Sequence, residues 1–357
     1  MEKALLTAIF AFALSFALIK IMKPVSRRIG LIDKPDARKR HEHAVPLVGG
    51  LAIYCTLLIV GLLLAWQVQG ARAYLIAAGF ITIVGVLDDW FDLDVSIRIL
   101  CSFAATGVMM YWGGAIFTNL GNLLGFGDIV MPLYVAVPFT LIACFGVINS
   151  INMIDGLDGL SSGIAIMAYS SILVAMDFSA HLLLLIITLI GATLAFMMFN
   201  LQVSVRLQKV FMGDAGSMLI GFSLILILCH ATQTTVAGSP RFAPVTGLYF
   251  IGLPLIDMVA TVLRRIQKGK NPFKADRTHA HHILLDLGLS PKRALLVMLS
   301  VAATINAMGI LLHYLETPAW LQFGLFLLLF ILYFQGARRR SRQIELLDRE
   351  ANKQLLS

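Results

Sequence analysis

The sequence predicts an all-α, polytopic membrane protein of about eleven transmembrane helices, N-terminus outside and C-terminus cytoplasmic. Three observations predict it. Of 357 residues, 59% are hydrophobic and only 13% charged, whereas a soluble domain carries about 25% charged residues. Long apolar runs follow one another along the chain. Lysine and arginine fall almost entirely on alternate connections between those runs.

A bilayer-crossing helix needs roughly 20 apolar residues. Runs of that kind occupy 4–22, 46–66, 72–88, 98–113, 130–150, 160–178, 180–201, 209–232, 243–265, 293–313 and 318–336. Glycine and polar residues intrude on the third, fourth and fifth. A single basic residue, Lys3, precedes the first run, many follow it, and no small-residue cleavage site leads into a polar chain. It therefore reads as a first span, not a removable signal peptide.

The charges set the orientation. Odd-numbered connections hold Lys20 to Arg40, Arg98, Arg206 and Lys209, and the run from Arg264 to Arg293; the tail holds Arg338 to Lys353. Together these account for 25 of the 28 lysines and arginines, leaving Lys3, Arg72 and Arg241 for the other side. Basic residues stay in the cytoplasm, so the odd connections and the C-terminus are expected there. The net charge of +8 reads first as orientation and second as attraction for an anionic partner. Residues 1–337 read as one transmembrane domain with a long cytoplasmic loop at 266–292, and 338–357 as a basic cytoplasmic tail. Cys55, Cys101, Cys144 and Cys229 lie in apolar runs without a C-x-x-C pair, which reads as small buried hydrophobes.

Polar residues at membrane depth are costly and tend to be functional. Here they gather at particular connections: Asp88, Asp89, Asp92 and Asp94; Asn149, Asn152, Asp155 and Asp158; Asn200; Asp214; and His279, His281 and His282. All fall on the basic side. Asp128 and Glu316 stand singly on the other, and Asp177 and His181 frame a short external turn. A transporter places its polar groups near the midplane, often in repeated broken helices. A one-faced cluster at helix ends instead suits an enzyme that joins a soluble substrate to a lipid headgroup. Several carboxylates and few thiols fit a hard cation such as Mg²⁺, held with substrate phosphates. Basic residues and histidines fit phosphate oxygens. These are the parts phosphoryl transfer requires, and glycines 156, 159, 213 and 216 would let backbone approach a ligand closely.

Blander readings stand beside each of these. An acidic pair at a helix end is common. D-G-L-D-G has the composition of a calcium loop but lacks its alternating ligands and distal glutamate. Three histidines could form a zinc site, although neither H-E-x-x-H nor a cysteine partner accompanies them. Most loop lysines and arginines read as topology signals. Asp257, about two helical turns from Arg264, reads as a structural polar contact.

The motifs together resemble the polyprenyl-phosphate N-acetylhexosamine 1-phosphate transferases. The resemblance runs from about Gly30 to Gly288. It rests on L-I-D-K-P-D-A-R-K-R-H (31–41), P-L-V-G-G (46–50), G-V-L-D-D-W-F-D (85–92), N-M-I-D-G-L-D-G-L (152–160), V-F-M-G-D-A-G-S (210–217) and D-R-T-H-A-H-H (276–282). The opening motif and the H-x-H-H form look most like bacterial undecaprenyl-phosphate N-acetylglucosaminyl 1-phosphate transferases.

The resemblance implies transfer of N-acetylglucosamine 1-phosphate from UDP-N-acetylglucosamine to undecaprenyl phosphate in the bacterial inner membrane. This would be the first membrane step of an O-antigen or common-antigen type polysaccharide. It implies a lipid bilayer and no nucleic acid as surroundings, a homodimer by analogy, and Mg²⁺, with Mn²⁺ as a substitute. It gives Asp214 as metal ligand, with Asn152 and Asp155 beside it. Asp88, Asp89 and Asp158 become catalytic candidates with His279. Phe211 stacks on uracil, Asn200 contacts the nucleotide, and His281 and Arg277 contact substrate. Trp90, where relatives often carry arginine, and Ala280, where isoleucine is common, leave the sugar less defined. Another UDP-N-acetylhexosamine or a UDP-muramyl-pentapeptide donor is the alternative. From another class, a lipid or nucleotide-sugar transporter explains the spans and basic loops but not the motifs on one face.

Direct attack of a lipid phosphate oxygen on the β-phosphorus is the expected chemistry, with Asp88 able to accept a remaining proton. A phosphate monoester is largely dianionic near neutrality, so it needs positioning and neutralisation more than a base. A phospho-aspartate on Asp158 or Asp155 is the rival. The ninth connection is expected to form a mobile cover carrying the histidines, with 279–287 as a short amphipathic helix at the interface.

Overall fold

The computed structural model describes residues 2–33, 44–64, 70–177, 180–233, 241–272 and 279–356, and of 180–181 and 341–356 the backbone alone. The stretch 34–43 in the first basic connection, and Arg277, lie outside the described residues. In chain order the helices are α1 (Glu2–Ile29), α2 (Gly49–Leu63), α3 (Ala71–Phe91), α4 (Val95–Gly113), α5 (Leu133–Ile154), α6 (Leu160–Ala175) and α7 (Ala180–Asn200). There follow α8 (Gly213–Gln233), α9 (Pro244–Phe250), α10 (Gly252–Gln267), α11 (Ala280–Asp286), α12 (Pro291–Tyr314) and α13 (Ala319–Leu356). One small antiparallel pair joins β1 (Ile32–Asp33) to β2 (Val45–Pro46), with Ile32 opposite Pro46 and Asp33 opposite Val45.

Every predicted apolar run is helical along most of its length, but they do not all have the length of a span. Among the described residues, α1, α3, α4, α5, α7, α8, α12 and the first part of α13 are long and apolar enough to cross a membrane, and α9 with α10 makes a ninth if counted as one. The helices α2 and α6 have 15 and 16 residues. At 1.5 Å per residue they reach only about 22–24 Å, short of a hydrocarbon core of about 30 Å. Length and composition thus support eight or nine spans where the sequence predicts eleven. Part of the shortfall has a local cause. Residues 46 and 47 leave the second run for strand pairing: Pro46 pairs with Ile32, Leu47 bridges Phe211, and the Phe211 N–H donates to the Pro46 carbonyl at 2.9 Å.

The predicted straight span at 243–265 is broken. Helices α9 and α10 meet at 83°. Pro254 has no N–H to bond the carbonyl four residues back, at Phe250, and its ring crowds that carbonyl. Gly252 sits at the elbow against α12: a Cβ there would lie 2.7 Å from Ile305 Cγ2.

Helix α8 is the centre of the bundle, its apolar window wholly buried, whereas that of α13 is 11% buried. Helices in lipid gain little from hydrophobic burial against each other, so close packing of small residues holds them. A Cβ on Gly50 of α2 would lie 2.2 Å from the Gly216 nitrogen of α8. One on Gly85 of α3 would lie 2.3 Å from Ala215 Cα, and one on Gly221 would lie 2.6 Å from Ile148 Cα of α5. Helix α1 runs along α7, where the Ser15 hydroxyl donates to the Ala192 carbonyl at 3.1 Å. At the far end of α8, the Gln233 side chain accepts from the Thr118 and Asn119 amides, both at 2.9 Å, and donates to the Asn119 carbonyl at 2.7 Å. That end is closed by a loop; the end carrying Asp214 holds the acidic cluster.

Candidate active site

The chain enters α8 through an extended segment. Phe211 bridges Leu47 in parallel, and the Gly49 and Gly50 amides donate to the Phe211 and Met212 carbonyls at 3.0 Å each. The P-L-V-G-G and F-M-G-D motifs are therefore one unit. Gly213 has φ +69°, where a side chain is strained, and a Cβ there would meet the Asp89 carboxylate at 2.3 Å. That carboxylate accepts from the Asp214 amide at 2.8 Å and the Ala215 amide at 3.3 Å. Asp89 thus caps α8 from a neighbouring helix, satisfying N–H groups that have no partner within the helix.

Asp214 lies in the first turn of α8, and the Asn152 amide at the end of α5 donates to it and also reaches Ser217 Oγ at 3.1 Å. Asp88, 4% exposed, accepts from the Leu93 amide at 2.8 Å and from Arg98 at 3.0 Å. Both Asp88 oxygens thus accept hydrogen bonds, one of them from a guanidinium. Arg98 reads in the sequence only as a topology charge.

The D-G-L-D-G loop joins α5 to α6. Asp155 accepts from the Ser161 hydroxyl. Crowding of its carboxyl by protein, reinforced by Asp158 and opposed by Ser161, raises its pKa to about 6, although the residue as a whole is exposed and solvent weakens that effect. Asp158 accepts from Lys209 Nζ at 2.6 Å, and the same ammonium lies 4.9 Å from the Phe211 ring centroid. Asn200 accepts from the Gly159 amide at 2.6 Å and donates to the Val210 carbonyl at 3.1 Å. It clips the D-G-L-D-G loop to the F-M-G-D segment, an orienting task that occupies both ends of its amide.

The histidines form a second wall. His279 precedes α11, and its Nδ1 lies 2.7 Å from Asp257 Oδ2 of α10. The His279 and His281 rings stack with centroids 5.8 Å apart and planes at 8°. His281 is buried against the acidic loop, so that a Cβ on Gly156 would lie 2.1 Å from its Nε2. Neither of its ring nitrogens has a hydrogen-bond partner among the described residues. Burial, with His282 and His279 nearby, pushes its pKa down to about 3, so it is neutral at physiological pH. Helix α11 falls within the predicted 279–287 stretch.

The structure thus brings together Asp89, Asp214 and Asn152, and separately Asp158, Lys209 and Phe211, with His281 packed against the loop between them. Among the described residues, no group of three or more His, Cys, Asp or Glu side chains is placed to hold a metal alone. Mg²⁺ usually takes one or two carboxylates and completes its shell with water and substrate phosphates. Asp214 and Asn152 would form a donor set of that kind if the Asn152 amide, whose nitrogen here faces Asp214, turned its oxygen to the ion. Two residues of the site do not stand out in the sequence. Asp257, which reads there as a contact near Arg264, bonds the histidine segment instead, while Arg264 donates to Thr261 at 2.8 Å. Tyr333, hidden in an apolar run, donates to Asp257. An ionisable residue inside a span is the available signal for the first.

A family model described as glycosyl transferase family 4 matches residues 71–232. The undecaprenyl-phosphate α-N-acetylglucosaminyl 1-phosphate transferase of Escherichia coli (strain K12) is 38% identical over 335 residues, which is 92% of this chain and 89% of that protein. The protein of the same description from Yersinia pestis is 36% identical over 96% of this chain and 93% of its own length. That from Pasteurella multocida (strain Pm70) is 37% identical over 95% and 94%.

Proposed function

The chain belongs to glycosyl transferase family 4, and we propose that it transfers N-acetylglucosamine 1-phosphate from UDP-N-acetylglucosamine to undecaprenyl phosphate, giving undecaprenyl-diphospho-N-acetylglucosamine and UMP. The observation that carries this reading is the meeting of Asp214, Asn152 and Asp89 at the N-terminal end of α8, with His281 against the adjoining loop. A multi-pass helical bundle with such a cluster at its helix ends suits one substrate from lipid and one from water. The distribution of basic residues supports a cytoplasmic site in the bacterial inner membrane.

An acceptor phosphate oxygen bonds to the β-phosphorus of the nucleotide sugar, the bond from that phosphorus to the bridging oxygen breaks, and UMP leaves with the electron pair. Asp214 and Asn152 would hold Mg²⁺, which supplies charge neutralisation on the diphosphate when bound. The chain's own contribution is placement. Asp89 fixes the first turn of α8, and with it the direction of the Asp214 carboxylate. Arg98 holds Asp88 in position. His279, with the His281 ring stacked on it, would meet phosphate oxygens, and Phe211 with Lys209 would offer an aromatic face and a cation to the uridine side. Lys209 engages Asp158, one of the two carboxylates, with Asp155, that the covalent route would use.

Purified protein should release UMP from UDP-N-acetylglucosamine only when Mg²⁺ and undecaprenyl phosphate are both present. Release with a different UDP-sugar in preference would reassign the donor, and acceptor-independent transport of nucleotide sugar would replace the enzyme reading. Exchange of labelled UMP into the sugar nucleotide without acceptor would replace direct attack by the covalent route.

A further inference from the structure

Asp257 is 1% exposed, and three donors converge on it. His279 Nδ1 lies 2.7 Å from Oδ2, the Ala280 amide lies 3.0 Å from Oδ1, and the Tyr333 hydroxyl also reaches Oδ1. These donors come from two elements distant in sequence, the segment entering α11 and the long helix α13. A carboxylate that only accepts requires Nδ1 of the facing imidazole to carry its proton, which makes Nε2 the nitrogen with the free lone pair. The Ala280 amide belongs to the first turn of α11, a group with no partner inside its own helix. The same carboxylate therefore anchors the start of this seven-residue helix and sets the ring that precedes it.

We propose that Asp257, steadied by Tyr333, is a positioning residue that fixes the proton of free His279 on Nδ1 and holds the ring so that Nε2, taking a proton when substrate binds, donates to the diphosphate while the carboxylate supports the imidazolium. The inference rests on the reaction proposed above for the identity of that ligand. Three features support it beyond a plain tie between helices. The bond goes to a ring nitrogen, so it selects a tautomer as well as a position. The His279 ring stacks on His281, which packs against Gly156 between Asp155 and Asp158, so ring orientation is transmitted to the acidic loop. Tyr333 spends its hydroxyl on the same carboxylate from a helix that otherwise shows little burial. Partners that orient metal-ligating histidines typically change activity 10- to 100-fold when altered, and the same scale is expected for a ring held this way toward a phosphate.

The test uses full-length protein in detergent or nanodiscs at pH 8. A ¹⁵N-histidine spectrum, with the His279 signal identified by its loss in His279→Asn, should show the Nδ1–H form in the wild type. Asp257→Asn, whose amide can donate to Nδ1, should move the signal toward Nε2–H. It should also lower kcat/KM for UMP release about 10- to 100-fold, with unchanged elution and thermal midpoint. Asp257→Asn combined with His279→Asn should be no slower than His279→Asn alone, and Tyr333→Phe should fall between wild type and Asp257→Asn. An Nε2–H wild type overturns the proposal without any variant, even if Asp257→Asn fails to fold. Additive losses in the double variant overturn it in favour of a structural tie. If the wild type makes no UMP, the reaction assignment falls while the tautomer measurement still decides the role of Asp257.

Discussion

The acidic wall and the histidine wall of the site are built by different means. Asp89, Asp214 and Asn152 sit where helices approach at backbone distance, with Gly50, Gly85 and Gly213 leaving no room for a methyl group. His279 and His281 hang from a seven-residue helix anchored to Asp257. The first wall is fixed by packing, which is dense and resists displacement. The second is fixed by hydrogen bonds to one carboxylate. Carboxylates that hold a cation gain from being placed before it arrives, whereas histidines that close on a diphosphate gain from a mounting that can adjust.

Four measurements break or sharpen this contrast. The largest effect is expected from Asp214→Asn, which should lower turnover about 10³-fold, the scale of losing a charge-stabilising group at a reacting centre, with circular dichroism and elution unchanged. Near-normal turnover would remove Asp214 from the metal-holding set. Next, Gly85→Ala should cost roughly 1–3 kcal/mol, as overpacking does, because its methyl would meet Ala215 backbone at 2.3 Å. Gly156→Ala meets only the His281 ring; it should reduce activity with a smaller fall in thermal midpoint. Equal midpoint losses would erase the distinction between the walls.

A third, smaller effect concerns pH. The Asp155 carboxyl titrates near 6 in the folded chain, above its ordinary value of 3.8. The folded state then binds more protons than the unfolded one between about pH 4 and 6, so stability falls as pH rises through that window. In EDTA, Asp155→Asn should have a higher thermal midpoint than wild type at pH 8 and an equal one at pH 4. A pH-independent difference would show that the carboxyl is not held in that unfavourable setting. The smallest effect is expected at Lys209→Met. Its pair with Asp158 is half open to solvent, and such pairs contribute about 0–1 kcal/mol. The midpoint should barely move while KM for the nucleotide sugar rises through loss of the cation beside Phe211.

The acidic wall is largely legible in the sequence, because a carboxylate at the end of an apolar run is costly and stands out from the residues around it. The histidine wall is legible only by its histidines. Helical spacing sets Asp257 beside Arg264 within α10, but the donors that reach its carboxylate come from the segment entering α11 and from α13, which no local spacing reveals. Tyr333 carries no signal, since a tyrosine in an apolar run reads as core or interface. Asn200 and Asp89 are legible as important but not as clips and caps, because backbone partners far along the chain leave no local pattern. The predicted span count exceeds what helix length supports, in part because hydropathy does not distinguish a helix from the paired backbone at 46–47.

The elbow between α9 and α10 also sets how the molecule spends its length. Had the chain continued straight, Arg264 would stand about 18 Å further along the helix axis than Gly252. Instead α10 turns across the end of α5, where Asn149 Nδ2 lies 3.7 Å from Met258 Sδ. Height is exchanged for breadth: a segment that would have risen out of the bundle becomes a shelf beneath the histidines, and a short chain gains a wide working floor.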